Sequence, residues 1–218
     1  MARGRRAAGP RIPPVLEPAG AGDPMAEATY EGVAFTDLER DGIGAERARF
    51  LGCGFTGCAF DRCQMPGAAF HDVVVERLRA VEIDLAESSW RDAVVADTLL
   101  AGAELYDARL QRVTFRDCKL DAVNLRGASL TDVSFERCML GEADFGRASL
   151  RSVRFDGCRL AGVDFSEVSF EEVDLRGSEL EIARGYDSLG GAIVSTGQLI
   201  ALAPGLAARI GMVVRDEP

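Results

Sequence analysis

Residues 121–145 read DAVNLRGASLTDVSFERCMLGEADF, and a Leu or Phe stands at every fifth position of this stretch. The register extends from Phe50 to Leu180, where every fifth residue is apolar. All eleven phenylalanines of the chain fall on it, counting Phe35 upstream. Chance would scatter them over five registers, so the chain carries an internal repeat of five residues.

A second column of small or β-branched residues lies two positions before the central Leu or Phe, and all six cysteines belong to it. Two inward positions in five fit neither the helical period of 3.6 nor the strand period of 2. We therefore predict a chain that turns a corner after every five residues. Such a chain forms a solenoid whose flat sides are each one repeat wide.

The 121–145 stretch closely resembles the A(D/N)LxG-type motif of the pentapeptide repeat family, and the resemblance covers residues 31–182. The family implies an all-β fold, a right-handed quadrilateral β-helix with four repeats per coil, in which each residue stacks on the residue twenty positions later. Residues 50–180 would then form about six and a half coils, roughly 30 Å long at the ~4.8 Å spacing of a β-ladder. Ala80 would lie opposite Trp90, and we expect the small residue to leave the room that the large one fills.

Segments of different composition flank the repeats. Residues 1–24 are rich in Pro, Gly, Ala and Arg without periodicity, which predicts a disordered N-terminal extension. Residues 25–182 form the predicted β-helix, in which residues 36–50 are expected to be a loosened first coil or a short loop because Arg40 and Ala45 replace the central apolar residue. Residues 183–218 are expected to hold a linker and a short C-terminal α-helix.

The predicted helix carries one apolar face, formed by Leu199, Ala203, Leu206 and Ile210. Ser195 and Gln198 have the spacing of a capping box at its start. Pro204 is expected to kink the helix or to begin a second short one. Because the helix is too apolar to lie free in water, we expect it either to plug the open end of the β-helix or to pair with a second copy in a homodimer.

The composition limits the classes of partner. The formal net charge is −10, whereas a phosphate-binding surface needs Lys and Arg, so we expect no nucleic acid as a partner. No run of about 18 apolar residues occurs, and no apolar segment follows the N-terminal arginines as in a signal peptide, so we expect no membrane association. Cysteines in the inward column favour buried, reduced thiols and a cytoplasmic location.

Few residues could carry chemistry. Cys118, Cys138 and Cys158 share one ladder, but stacked thiols run in a line rather than converging on a tetrahedral metal site, and we predict that they are small apolar filler. A disulfide between stacked neighbours is conceivable but would be strained. His71, the only histidine, lies at an outward position without a positioned acid or nucleophile, which predicts a surface residue. We therefore expect no enzymatic activity, no cofactor and no metal.

The acidic residues are the most informative group. Stacked by twenty, one side of the rod carries a nearly continuous outward strip of carboxylates: Asp84, Glu87, Glu104, Asp107, Asp144, Asp164 and Glu167. A second, weaker strip holds Asp72, Asp92, Asp132 and Glu172. Two interpretations stay open. The strip is either a solvated face whose side chains bond the backbone of turns, or a surface that presents carboxylates to a cleft built for DNA.

The whole pattern resembles the MfpA and Qnr type of pentapeptide repeat proteins, through the acidic rod, the imperfect first coil, ERARF at 46–50 and VSTGQLIALAPGLAARIG at 194–211. Proteins of that type mimic DNA, bind DNA gyrase and protect it from inhibitors, and MfpA dimerises through its terminal helix. The resemblance implies a partner such as DNA gyrase or a related type II topoisomerase, bound through the acidic strip. The Qnr branch has a long loop that this chain lacks, which keeps open the alternative of a general interaction scaffold with a partner unrelated to DNA enzymes.

Overall fold

Strand pairing at a separation of twenty residues governs the architecture. In the computed structural model, which describes residues 9–13, 15–19 and 24–213, the chain winds into a right-handed quadrilateral β-helix of about nine turns followed by one C-terminal α-helix. Phe50 pairs with Phe70, Phe55 with Val75 and Ala80 with Leu100, all in parallel. Four five-residue repeats therefore complete one coil, as predicted.

Two sides of the rod form one continuous sheet. The first side consists of Thr29–Glu31, Arg49–Leu51, Ala69–His71, the first halves of Ser89–Ala96 and Arg109–Arg116, Ser129–Thr131, Ser149–Arg151 and Ser169–Glu171. The second side consists of Glu17–Pro18, Val33–Thr36, Gly54–Thr56, Val74–Glu76, the second halves of the two eight-residue strands, Ser134–Glu136, Arg154–Asp156, Val173–Asp174 and Ala192–Ile193. The last pair carries the ladder beyond residue 182.

The third side is a separate sheet, and the fourth is a ladder of single bridges. The third side consists of Glu39–Asp41, Ala59–Asp61, Arg79–Val81, Leu99–Ala101, Lys119–Asp121, Met139–Gly141, Arg159–Asp164 and Glu179–Arg184. The fourth side pairs one residue per coil through Gly44, Gln64, Asp84, Glu104, Asn124, Asp144 and Asp164. A short 3₁₀ helix, Tyr186–Ser188, and the α-helix Thr196–Arg209 follow.

The two inward columns build one continuous core along the rod. Phenylalanines of successive coils stack face to face, with ring centroids of Phe115 and Phe135 5.0 Å apart and those of Phe135 and Phe155 4.8 Å apart. Offset stacks of this kind add ~1 kcal/mol beyond the burial of the rings themselves. Trp90 lies on the first side and Ala80 on the opposite third side, as the four-repeat count requires.

The cysteines occupy the same core. All six are free and buried among the described residues. Each thiol also donates a weak hydrogen bond to a carbonyl of the preceding coil, for example from Cys158 Sγ to Phe135 O at 3.2 Å. Ser178 takes the same place one coil later, and its hydroxyl donates to Phe155 O at 3.1 Å. The column is thus more than apolar filler, because its side chains also tie neighbouring coils together.

The first coil is complete, although the sequence predicts a loosened coil or loop over residues 36–50. Glu39–Asp41 pairs with Ala59–Asp61, so Arg40 takes the place of a central apolar residue opposite Phe60. The side chain of Arg40 is only partly buried, since the first coil is the end of the stack. An arginine is tolerated there because its charged head can stay near water.

The described part of residues 1–24 packs along the rod, which differs from the predicted disorder. The backbone N–H of Arg11 donates to Asp72 Oδ1 at 2.8 Å, three coils into the rod. Glu17–Pro18 then pairs in parallel with Val33–Ala34 and covers the edge of the second side. We call residues 11–13 and 15–19 the strap. The remainder of the predicted extension lies outside the described residues.

The C-terminal helix begins and ends close to the predicted positions. Ser195 and Gln198 form the predicted capping box, with Ser195 N donating to Gln198 Oε1 at 2.8 Å and Gln198 N to Ser195 Oγ at 3.2 Å. The side-chain nitrogen Nε2 of Gln198 also donates to Leu175 O and Ser178 O of the last coil, both at 2.7 Å. The helix runs without interruption through Pro204, so no second helix begins there. No helix among the described residues is long and apolar enough to cross a membrane.

Candidate protein-interaction surface

The seven predicted carboxylates lie together on the fourth side, in two columns. The inner column consists of Asp84, Glu104, Asn124, Asp144 and Asp164, which are bridged one to the next along the rod. The outer column consists of Glu87, Asp107, Gly127, Arg147 and Glu167, which lie at the corner between the fourth and first sides. Each column advances by one coil, roughly 4.8 Å, per residue.

The inner column is half-buried, and its Asp and Asn side chains, although not Glu104, accept backbone N–H groups. Asp144 Oδ1 accepts the N–H of Gly146 at 2.7 Å, and Asp164 Oδ1 accepts the N–H of Ser166 at 2.7 Å. Asp84 makes the same contact two residues on. The Asp164 side chain is only 17% exposed. These carboxylates therefore hold the turns of the fourth side, as one of the two interpretations expects.

The outer column is the exposed part of the strip. Glu87, Asp107 and Glu167 are exposed, and their φ angles of 56°, 54° and 59° place them in the left-handed region. That conformation turns the corner and points the side chain away from the rod. These three carboxylates, rather than the inner ones, are available to a partner.

Two arginines interrupt the strip, which is less continuous than the sequence predicts. Arg126 lies between the columns, and its guanidinium donates to Asp144 at 3.0 Å, so that the pKa of Arg126 is raised. Arg147 is exposed in the outer column, and its guanidinium forms no hydrogen bond or ion pair with any residue that the structure describes. The signal was present in the sequence, since stacking by twenty places both arginines on this side.

The second, weaker strip lies at the corner between the first and second sides. Asp92 forms a two-point ion pair with Arg112 one coil later, at 2.5 and 2.7 Å. Hydrogen bonding to Arg112 lowers the pKa of Asp92. Asp72 accepts a hydrogen bond from the backbone N–H of Arg11 in the strap, and Glu172 accepts one from the hydroxyl of Ser152 at 2.9 Å. Most carboxylates of this strip are thus already paired within the protein.

His71 lies on the first side, where its Nε2 is 3.4 Å from Ser89 Oγ. Burial and the nearby charge of Arg91 lower the pKa of His71. The ring is half-buried rather than a free surface group. Within the described ranges, no group of three or more His, Cys, Asp or Glu residues is arranged to hold a metal ion.

The C-terminal helix divides the predicted apolar face. Leu206 packs against the core, as does the buried Leu202, which the sequence prediction did not include. Leu199 and Ile210 are 50% and 73% exposed, and Ala203 is exposed as well. Ile200, at 70% exposure, extends this outer face. The helix therefore plugs the end of the rod and still presents an uncovered apolar surface.

Comparisons with known proteins identify the repeat. Residues 88–165 and 108–184 match the family profile described as "Pentapeptide repeat region". The comparison with curated proteins gives no match. Similar solved structures include a trypsin-treated form of QnrB1, described as a plasmid-mediated fluoroquinolone resistance protein, at 20% identity over 86% of this chain and 98% of that chain, with a TM-score of 0.46. Another is Rfr23 from the cyanobacterium Cyanothece 51142, at 12% identity over 70% of this chain and 91% of that chain, with a TM-score of 0.37.

Proposed function

This chain belongs to the pentapeptide repeat family, and from that premise we propose that it is a non-enzymatic, cytoplasmic DNA mimic that binds DNA gyrase or a related type II topoisomerase. The observation that carries the proposal is the exposed outer column, with the inner column beside it on one straight side of a rod. A basic channel that attracts DNA electrostatically would attract this side in the same way. Because the sequence resembles the MfpA and Qnr type, we extend the proposal to protection of the enzyme from inhibitors.

We propose in addition that the protein is a homodimer through its C-terminal helix. Leu199, Ile200, Ala203 and Ile210 form a contiguous apolar face that water would otherwise cover. A second copy of the same helix offers a matching face, and closed pairs of this kind are the commonest oligomers. A dimer joined at the C-terminal ends would be a rod of twice the length, with two acidic sides.

A general interaction scaffold is the alternative. It is favoured by the inner column, whose three aspartates accept backbone N–H groups of turns, a role that requires no partner. On this alternative the acidic side keeps the rod soluble, and its partner is unrelated to DNA enzymes.

A supercoiling assay distinguishes the two. Purified gyrase is given relaxed plasmid DNA and ATP, so that it introduces supercoils. The protein is added at micromolar concentration, with and without a fluoroquinolone. We expect inhibition of supercoiling without the drug and fewer drug-induced cleavage products with it. If neither quantity changes, the topoisomerase proposal fails and the scaffold alternative stands.

A further inference from the structure

A shallow cleft of about 460 Å³ interrupts the fourth side, and its lining combines one carboxylate of the acidic strip with two arginines and a tyrosine. We call it the notch. It is lined by Tyr106, Asp107, Asn124, Arg126, Gly127 and Arg147. These residues come from three successive coils, so the regular stacking of the rod, rather than a flexible loop, positions them.

Gly127 creates the notch by leaving a gap in the outer column. Its φ of 67° is shared by Asp, Glu and Arg residues at the same corner of other coils, so the backbone conformation does not demand glycine. A Cβ at this position would lie 2.2 Å from Asp107 Oδ1, which shows that the Asp107 carboxylate leans over the gap. The missing side chain therefore leaves room for the Asp107 carboxylate in the cleft that Arg147 also lines.

The two arginines of the notch differ in what they can still bind. The guanidinium of Arg126 forms an ion pair with Asp144. Arg147 has no ion pair within the part of the chain that the structure describes, and it lies in the open beside the exposed ring of Tyr106. An unpaired guanidinium presents several N–H donors in a plane that matches a carboxylate.

We propose that the notch receives an acidic side chain of the partner, an Asp or Glu set within an otherwise basic surface. This inference rests on the proposed function and names which partner surface fits. A uniformly basic groove would meet a like charge at Arg147 and be disfavoured there. A groove with one carboxylate at that point would gain a charge-assisted hydrogen bond and be fixed in register along the rod. Tyr106 adds a hydroxyl and a ring edge beside it.

The test reverses the charge of Arg147. Binding of the full-length protein to purified DNA gyrase is measured by isothermal titration at fixed salt, for the wild type and for Arg147→Glu. Because the substitution makes the strip more acidic, simple electrostatic attraction would tighten binding. We expect the opposite, a loss of at least about tenfold in affinity. A glutamate fits this conformation, since Glu87 and Glu167 occupy it in the same column.

Two further variants make the result decisive. Arg147→Gln keeps a hydrogen-bond donor without the charge and should bind with intermediate affinity. Arg77→Glu makes the same change at a left-handed position, φ 52°, on the diagonally opposite corner, and should bind like the wild type. If Arg147→Glu binds as tightly as the wild type or more tightly, the notch proposal is overturned while the proposed function stands. If the wild type itself does not bind, the proposed function falls and this inference with it.

Discussion

At the scale of the residue, the corner position of each repeat carries a conformational demand that the five-residue period does not reveal. Almost every corner between residues 27 and 172 has a positive φ, and many corners are Asp, Glu or Arg rather than glycine. A non-glycine residue in the left-handed region costs roughly 1–2 kcal/mol. The fold accepts this cost because a square coil must turn at each corner. Several charged corner residues form ion pairs with the same corner of the next coil, as Asp92 does with Arg112 and Asp117 with Arg137.

Ala122 tests this demand. It lies at φ 50°, is exposed, and has no polar side-chain group, whereas Gly102 holds the same corner one coil earlier and Gly162 holds it two coils later. Ala122→Gly should raise the free energy of unfolding by ~0.5–1 kcal/mol, because relief of the left-handed strain exceeds the extra entropy of the unfolded glycine. Gly102→Ala should lower it by a similar amount. Denaturant unfolding followed by circular dichroism measures both, and a destabilised Ala122→Gly would contradict the account.

The sequence predicts inward residues far better than outward ones. The apolar columns fix which side chains are buried, because only one register of five satisfies them. Whether an outward carboxylate is free or bonded depends on local turn geometry. Asp144 and Glu167 belong to the same predicted strip, yet the side chain of Asp144 accepts the N–H of Gly146 while that of Glu167 is exposed. That distinction required coordinates.

At the scale of the element, both ends of the rod are covered by segments that the repeat does not predict. The strap packs over two glycines of the rod, Gly52 and Gly54. A Cβ on Gly54 would meet Leu16 Cδ1 at 2.9 Å, and one on Gly52 would meet Pro13 Cδ at 3.1 Å. Later coils carry Val74 and Asp72 at the same positions, so these glycines make room for the strap. Composition alone predicted disorder because it does not show that the strap side chains pack over these glycines.

The C-terminal helix covers the other end, and its capping box is readable from spacing alone. The second role of Gln198, binding the last coil, depends on residues about twenty positions earlier and is not readable. The same limit explains Leu206: helical periodicity places it on the apolar face, but only packing shows that it contacts the rod while Leu199 does not. The predicted face is therefore divided between a plug and an uncovered surface.

Substitutions on the exposed and on the buried face of the C-terminal helix should have different effects. Leu199→Asp combined with Ile200→Asp should convert a dimer to a monomer in light scattering, with little change in melting temperature, because both side chains are half or more exposed. Leu202→Asp should instead lower the stability of the C-terminal end by ~3 kcal/mol, since it buries a carboxylate without a partner. A wild type that is already monomeric would show that the helix only plugs the rod.

At the scale of the whole molecule, charge density limits what the acidic side can do by attraction alone. Seven carboxylates against Arg126 and Arg147 leave a net charge of about −5 over roughly 24 Å, five coils at ~4.8 Å each. Duplex DNA carries one charge per about 1.7 Å, or roughly three times as much. Attraction to a basic channel would therefore be weaker than that of DNA. Shape and specific contacts, including the notch, must supply the remaining affinity.

The repeat and its inward columns were predictable from the sequence because every fifth residue between Phe50 and Leu180 is apolar. The surface was only partly predictable, because function depends on the three outward residues of each repeat, and their pattern is irregular. Stacking by twenty correctly gathered the seven carboxylates on one side. It overstated their continuity, since Arg126 pairs with Asp144 and Arg147 breaks the outer column.

Competition with DNA measures whether the acidic side occupies the DNA-binding surface of gyrase. Gyrase is bound to a fluorescently labelled duplex, and the protein is titrated in while anisotropy is recorded. We expect the wild type to displace the duplex as its concentration rises, because both compete for the same basic surface. The triple variant Glu87→Lys, Asp107→Lys, Glu167→Lys should fail to displace it. The control triple Asp97→Lys, Asp132→Lys, Glu172→Lys makes the same charge change at left-handed corners away from the fourth side and should still displace it. Gyrase that holds the duplex unchanged at saturating wild-type protein would contradict DNA mimicry.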